Sequence, residues 1–316
     1  MKPKPKAYAN RVRQLEVPPE REGQRLDNFL ARELKGLPRA ALYKLIRTGQ
    51  VRVDGGRAKP DRKLSAGELV RIPPVEHQEG NAPRVSAEVL RQIEAAIVFE
   101  DADLLVVDKP SGIAVHAGSG LSWGLIDAVR QIRPDKPVEL VHRIDRETSG
   151  LIVLTSSRAA MQSLTEQFRE GSVIKRYLCL LSGRLDQDLV QVDAPLAEDR
   201  RDGEKHIAVD PDGRSAVTRF ARLEQFPLAC YAKAEILTGR THQIRVHASH
   251  LGAPLAGDRK YGRDDDNQRW RTMGLKRLFL HAAELEFASP SGEPLSFDAP
   301  LPDDLRHCLD ALAGVG

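Results

Sequence analysis

The stretch Val141-His142-Arg143-Ile144-Asp145-Arg146-Glu147-Thr148-Ser149-Gly150, followed by the apolar run Leu151 to Leu154, decides how this chain is read. An acid sits between two arginines, and a Thr-Ser-Gly turn leads into a strand with the composition of a buried one. Guanidinium neighbours favour the ionised form of a carboxylate. Arg143 and Asp145 are two apart, so in extended backbone both side chains leave the same face. Turns at strand ends are where a scaffold presents reactive groups. The pattern therefore offers an ionised, nucleophilic aspartate beside an anion-binding arginine. Spacing alone equally allows Asp145 to cap its own turn through Thr148 or Ser149.

Composition narrows the setting. A length of 316 residues suffices for one large domain and a small one, and 41% hydrophobic residues support a packed core. No apolar run approaches the roughly 20 residues that span a bilayer. Met1-Lys2-Pro3-Lys4-Pro5-Lys6 has no apolar segment behind it and does not read as a secretory signal. Cys179, Cys230 and Cys308 are odd in number and far apart, so reduced thiols in the cytoplasm are expected, with no metal spacing among them. The net charge of +3 is unevenly spread. Residues 1–74 hold 18 Lys+Arg against 8 Asp+Glu, a net +10, and the remainder carries −7. A basic module that meets a polyanion, joined to a more neutral body, is the physical reading of that asymmetry.

Residues 1–12 read as a basic disordered tail. A small module follows at 13–76. Leu26, Phe29, Leu30 and Leu34 keep helical spacing, with Gly36 as terminator. Pro38 starts a second helix whose Leu42, Leu45 and Ile46 face inward, while Arg39, Lys44 and Arg47 lie off that face. Short strands follow at Val51–Val53 and Glu68–Ile72. Residues 77–92 read as a polar linker. The large domain, 93–316, opens with a hairpin, Ile97–Phe99 and Leu104–Val107, around an acidic turn. After the Asp145 stretch come a central strand, and then a helix capped by Ser156 or Ser157 with Met161, Leu164 and Phe168 on one face, ending at Gly171. A strand at Val173–Leu180 places Lys175 and Tyr177 on one side. Residues 186–215 suggest a long hairpin or surface loop. Thr241 is the expected cap of a helix carrying Ile244, Ala248 and Leu251 inward. His242 and His247 lack the spacing of a helical zinc pair.

His142-Arg143-Ile144-Asp145-x-x-Thr148-Ser149-Gly150 resembles the signature of the RluA/RluC/RluD family of RNA pseudouridine synthases, with Ile144 where that family has leucine. Lys109-Pro110-x-Gly112-x-x-Val115-His116, Lys175-x-Tyr177, Gly239-Arg240-x-His242-Gln243-Ile244-Arg245-x-His247 and Gly257-Asp258-x-x-Tyr261-Gly262 follow in that family's order. The small module, through Arg25-Leu26-Asp27 and Tyr43 to Gly55, resembles an S-four-like RNA-binding domain. The resemblance implies an α+β protein whose catalytic domain has a mainly antiparallel bent sheet flanked by helices. It implies Asp145 as nucleophile, Arg245 as its partner, Tyr177 stacked on the target base and engaged in proton transfer, and Arg143 in the space the flipped base leaves. Leu280 would line the uracil pocket, and Lys175, Arg39, Lys44 and Arg47 would meet RNA. The N-terminal basic run, Leu37-Pro38 and Val70 to Pro74 fit the RluC type better than the RluD type. The implied partner is 23S rRNA or a large-subunit assembly intermediate, met by a monomer. The same motifs permit action on tRNA or another rRNA site, and a non-catalytic ribosome-assembly factor is the reading from a different class.

Overall fold

The computed structural model describes residues 12–34, 37, 39–74, 85–117, 121–201 and 204–314, with the backbone alone at residues 20, 39, 40, 201, 204 and 205. The basic tail at 1–11, the boundary signals Gly36 and Pro38, and residues 75–84 lie outside the described residues. The chain divides at Arg84/Val85 into two compact units.

The first unit runs β1 (Arg13–Glu16), α1 (Leu26–Glu33), α2 (Arg39–Arg47), β2 (Arg52–Val53) and β3 (Leu69–Ile72). Its three strands pair antiparallel in the order β1-β3-β2. Leu26, Phe29 and Leu30 of α1 and Leu42 and Ile46 of α2 close on Val53, Val70 and Ile72. Each such side chain contributes about 1.5–3 kcal/mol by leaving water. Asp27 ties the helices together. Arg25 donates to it through Nε at 3.1 Å and Nη2 at 2.7 Å, and the Tyr43 hydroxyl donates at 3.0 Å. Lys44 and Arg47 stand exposed on α2. Strand β1 is a polar edge strand, Arg-Gln-Leu-Glu, whose pattern is too hydrophilic to announce itself.

The second unit begins earlier than composition suggests. Residues 85–92, expected in the linker, already belong to it: Val85 is buried, and α3 (Ala87–Ala95), capped by Ser86, buries Ile93. Then come β4 (Ile97–Glu100), β5 (Leu104–Lys109), α4 (Leu125–Ile132), β6 (Glu139–Leu140), β7 (Ser149–Thr155), α5 (Arg158–Glu170) and β8 (Ile174–Ser182). They are followed by β9 (Leu189–Asp193), β10 (Leu196–Arg201), β11 (Glu204–Val209), β12 (Val217–Gln225) and β13 (Ala229–Ile236). The chain closes with α6 (Gln243–His250), α7 (Asp264–Thr272), β14 (Leu280–Ala288), β15 (Pro294–Asp298) and α8 (Asp303–Ala313).

One mixed sheet, ordered β4-β5-β7-β14-β8-β13-β12-β9, organises this unit, with β6 on β7 and β15 on β14. Its pairings are antiparallel except β7 with β14, which meet in parallel at Ser149/His281 and Gly150/Ala282. The class is α+β. Every residue of β7 is buried, as its unbroken apolar run requires of a central strand. Strands β10 and β11 form a separate hairpin, seated by Leu196 and Ile207 on Val246 of α6. Ser157 caps α5, and Gly171 ends it at φ 78°, a conformation that favours glycine.

Candidate active site

Asp145 sits in the loop that feeds β7. That loop is fastened from both sides by the turn after β5. Gly112 N–H donates to Arg146 C=O at 2.8 Å, and Arg146 Nε returns a bond to Gly112 C=O at 2.9 Å. The Ser111 hydroxyl donates to Glu147 C=O at 2.6 Å. Lys109 is fully buried and gives its three protons to the carbonyls of Pro110, Ile113 and Arg146 at 3.0, 2.9 and 3.3 Å. Burial pushes its pKa down to about 7. The turn at Asp145 is closed by backbone, with Thr148 N–H donating to Asp145 C=O at 3.2 Å. Its carboxylate faces Arg245 and His242 instead of capping the turn.

The other wall comes from α6 and the loop before it. Thr241 does not cap this helix. The cap position belongs to His242, in the left-handed region at φ 56°, without a side-chain cap. Gln243 does the fastening: its Oε1 accepts from Arg240 N–H at 3.0 Å, and its Nε2 donates to Val217 C=O at 2.9 Å. His247 holds the helix to β12 and Ala194 through Thr218 Oγ1 at 2.8 Å and Ala194 C=O at 2.9 Å. His242 and Arg245, three apart, share the helix face that looks at Asp145.

Arg245 lies 3.4 Å from Asp145 Oδ2 through Nη1. Its fork is spent elsewhere: Nε and Nη2 each donate at 2.8 Å to the two oxygens of Asp258, which is fully buried. Burial opposes both charges and the paired fork outweighs it, raising the pKa of Arg245 and lowering that of Asp258. Asp258 also accepts from the N–H groups of Lys260 and Tyr261. The bidentate partner of Arg245 is thus Asp258, not Asp145. The motif Gly257-Asp258-x-x-Tyr261-Gly262 marks the position, but nothing in its spacing says which cation it holds.

A cavity of about 100 Å³ opens over the carboxylate, lined among others by Arg143, Asp145, Tyr177, Arg245 and Leu280. These five expected residues meet there, joined by Ile236, Arg240 and His242, which the sequence did not single out for this role. Tyr177 is buried, and desolvation followed by the Asp145 charge raises the pKa of its phenol. Beside it runs a wider trough of about 510 Å³ that shares Arg143, Asp145, His242 and Arg245 and adds Arg146, Glu147, His206, Arg259 and Lys260, so that cations outnumber carboxylates. Lys175 is not brought to either. It is buried, with its ammonium 5.6 Å from the centroid of the Phe168 ring: it shares the face of β8 that carries Tyr177, but two residues back along the strand that face is covered by α5 rather than by the cavity. His142 is structural: its Nε2 accepts from Val153 N–H at 3.1 Å and its ring stacks on Phe168.

A carboxylate beside an arginine in the lining of a small, partly apolar slot, next to a cationic trough, is suited to acting on one base of a polyanion. Comparison with known proteins identifies the class. The family model described as RNA pseudouridylate synthase matches residues 103–250, and the S4 domain matches residues 24–70. The solved structure of Human RNA Pseudouridylate Synthase Domain Containing 4 is similar at TM-score 0.60 and 25% identity, covering 72% of this chain and 96% of that one. Over 306 residues the chain is 45% identical to ribosomal large subunit pseudouridine synthase C of Yersinia pestis, covering 95% of this chain and 96% of that protein. The protein of the same name from Escherichia coli K12 is 43% identical, covering 95% and 97%. The chain belongs to the RNA pseudouridylate synthase family.

Proposed function

We propose that this protein isomerises specific uridines of 23S rRNA to pseudouridine, with Asp145 as the nucleophile. The observation that carries this reading is the placement of Asp145 in the cavity lining, its carboxylate 3.4 Å from Arg245, together with Tyr177 and Leu280. In the reaction the bond between uracil N1 and the ribose breaks, and the base turns. A bond from C5 to the same ribose carbon forms, the C5 proton leaves, and N1 gains one. Atoms balance with no electron transfer, so the reaction asks for no redox cofactor. The target base must leave its stack to reach such a slot. Tyr177 stacks on it and serves the proton transfer, Leu280 bounds it, and Arg143, exposed at the mouth, fills the space it vacates. Arg245 orients Asp145 through one nitrogen while Asp258 holds the arginine.

The names of the relatives support the RluC type and a large-subunit substrate, free or in an assembly intermediate. The basic first unit, with Arg39, Lys44 and Arg47 along α2, adds RNA affinity, and the catalytic domain starts after the linker. The chain acts as a monomer in the cytoplasm, in keeping with three unpaired, buried cysteines. The test is pseudouridine mapping of 23S rRNA from cells lacking the protein, complemented with wild type or Asp145→Asn. Sites restored by wild type alone are expected. Full rRNA modification in the deletion strain would move the substrate to tRNA, and restoration by Asp145→Asn would remove the nucleophile assignment.

A further inference from the structure

His242 is the one residue at the cavity whose backbone is strained and whose ring has no part in the isomerisation steps. Apart from Asp54, it is the only non-glycine among the described residues at positive φ. Such conformations cost on the order of 1–3 kcal/mol and persist where the surroundings impose them. The strain turns the imidazole away from capping α6 and into the cavity, where Nε2 stands 3.8 Å from Asp145 Oδ2, the oxygen that Arg245 also reaches. The opposite ring nitrogen, Nδ1, is 2.7 Å from the Tyr261 hydroxyl. That hydroxyl accepts Ile207 N–H at 3.2 Å, and the carboxylate facing Nε2 favours the tautomer in which the hydroxyl gives its own proton to Nδ1. Nδ1 is then the acceptor, and the ring proton of the neutral imidazole sits on Nε2, facing the carboxylate.

We propose that His242 is a catalytic hydrogen-bond donor to Asp145, its tautomer set by Tyr261. The inference rests on Asp145 being the nucleophile. A neutral donor has a use that a second cation lacks. It orients the attacking oxygen and stabilises the carboxylate when that group is expelled again, without adding a full charge that would blunt its attack. At 3.8 Å the contact is open, and catalytic hydrogen bonds in ligand-free sites commonly close when substrate enters. Burial first, and then the positive charges of Arg245 and Lys260, keep the ring neutral by pushing its pKa down to about 4 against the pull of Asp145. The alternative is that the ring only packs edge-on against Tyr261, at 5.5 Å between centroids.

The two are separated by single-turnover release of tritium from RNA labelled at uracil C5, prepared from cells lacking the protein, with RNA affinity measured in parallel. His242→Ala should slow the bound-state rate by about ten-fold or more, the scale of a lost hydrogen bond to a charged group, with Kd within about two-fold of wild type. His242→Gln, which can return an N–H to the Nε2 position, should recover to within about three-fold of wild type. Tyr261→Phe, which keeps the edge-on ring contact and loses the hydroxyl, should fall between them, again without a change in Kd. Equal losses in His242→Ala and His242→Gln, a wild-type rate in His242→Ala, or a loss confined to Kd would each overturn the proposal. Asp145→Asn is run alongside: activity there sinks the nucleophile reading, whereas an inert Asp145→Asn with a normal His242→Ala sinks only the role of His242.

Discussion

Arg245 and Asp258 show how one buried pair can serve a third residue. Both are nearly inaccessible, and removing one partner of a buried, hydrogen-bonded pair typically costs about 3–5 kcal/mol because the other charge is left uncompensated. Asp258→Asn should therefore lower the urea midpoint of the full chain, and it should slow turnover even though Asp258 is not in the lining of the cavity. The freed guanidinium would swing toward Asp145, so the expected loss is in the rate on bound RNA, with Kd for RNA little changed. An Asp258→Asn protein with wild-type stability and rate would show that Arg245 needs no such clamp. At this scale the sequence was informative about chemistry and silent about partners. Asp145 and Arg245 could be named because their motifs are specific, whereas Tyr177 and Leu280 rested on shorter matches. The Asp258 clamp could not, since a carboxylate 13 residues from an arginine has no fixed geometry until α6 and the following turn fold back together. Lys175 was misplaced for a related reason: alternation says which residues share a face, not what covers that face along its length.

Elements place these residues through a few unforgiving contacts. At the start of β7, Gly150 has φ 108°, and an added Cβ would stand 2.2 Å from Ala282 C=O of β14. This is the parallel contact that sets Asp145, just before β7, beside Leu280 at the start of β14. Ser149 and His281 rivet the same junction: Arg277 donates to the Ser149 hydroxyl at 3.0 Å, and Ser149 lies 2.9 Å from His281 Nδ1. Gly150→Ala should destabilise the protein by more than the roughly 1–3 kcal/mol of ordinary overpacking, because backbone rather than a side chain must move. Soluble, fully active Gly150→Ala protein would contradict the contact. The helix α2 of the first unit makes an independent prediction. If Lys44 and Arg47 meet phosphates, replacing both with glutamine should weaken RNA binding and reduce the slope of log K against log salt by about 0.7–0.9 for each phosphate no longer neutralised. An unchanged slope would leave them as a solvated helix face. Regular elements were legible where periodicity was clean, as in α1, α5, β5 and β7. Helix α7 was not, because Asp-Asp-Asp-Asn-Gln-Arg-Trp-Arg-Thr buries only Asn267 and Trp270 and carries almost no apolar stripe.

For the whole molecule, the fold class and the order of units followed from the charge asymmetry and the motif order, while the sheet's single parallel joint did not, since strand order depends on contacts far apart in the chain. One property emerges only from the assembled catalytic unit: it stores His142, His242 and His281 in neutral form, and burial lowers the pKa of His247 as well. Burial pushes the pKa of His142 down to about 3 and those of His242 and His281 to about 4, against 6.5 in the unfolded chain. Between those values the unfolded chain binds more protons than the folded one, so the contribution of these rings is complete about one unit above pH 6.5 and is lost as pH falls toward 4. Each group that titrates fully is worth about 1.4 kcal/mol per pH unit, so the three together remove on the order of 4–6 kcal/mol at about pH 5 relative to about pH 7.5. That is a large share of the roughly 5–15 kcal/mol that stabilises a domain. Both tryptophans, Trp123 and Trp270, lie in this unit, so their fluorescence during urea unfolding of the full chain reports on it alone. The midpoint should fall steadily from about pH 7.5 to about pH 5, most steeply below about pH 6.5, with buried Lys109, which titrates at about 7 in the fold, adding to the slope at the upper end. His142→Gln, which removes one titrating ring and retains an amide acceptor for Val153 N–H, should make the acid side shallower by about one proton. A midpoint that does not move between about pH 6.5 and about pH 5 would mean that the rings are protonated within the fold, and the neutral donor assigned to His242 would lose its physical basis.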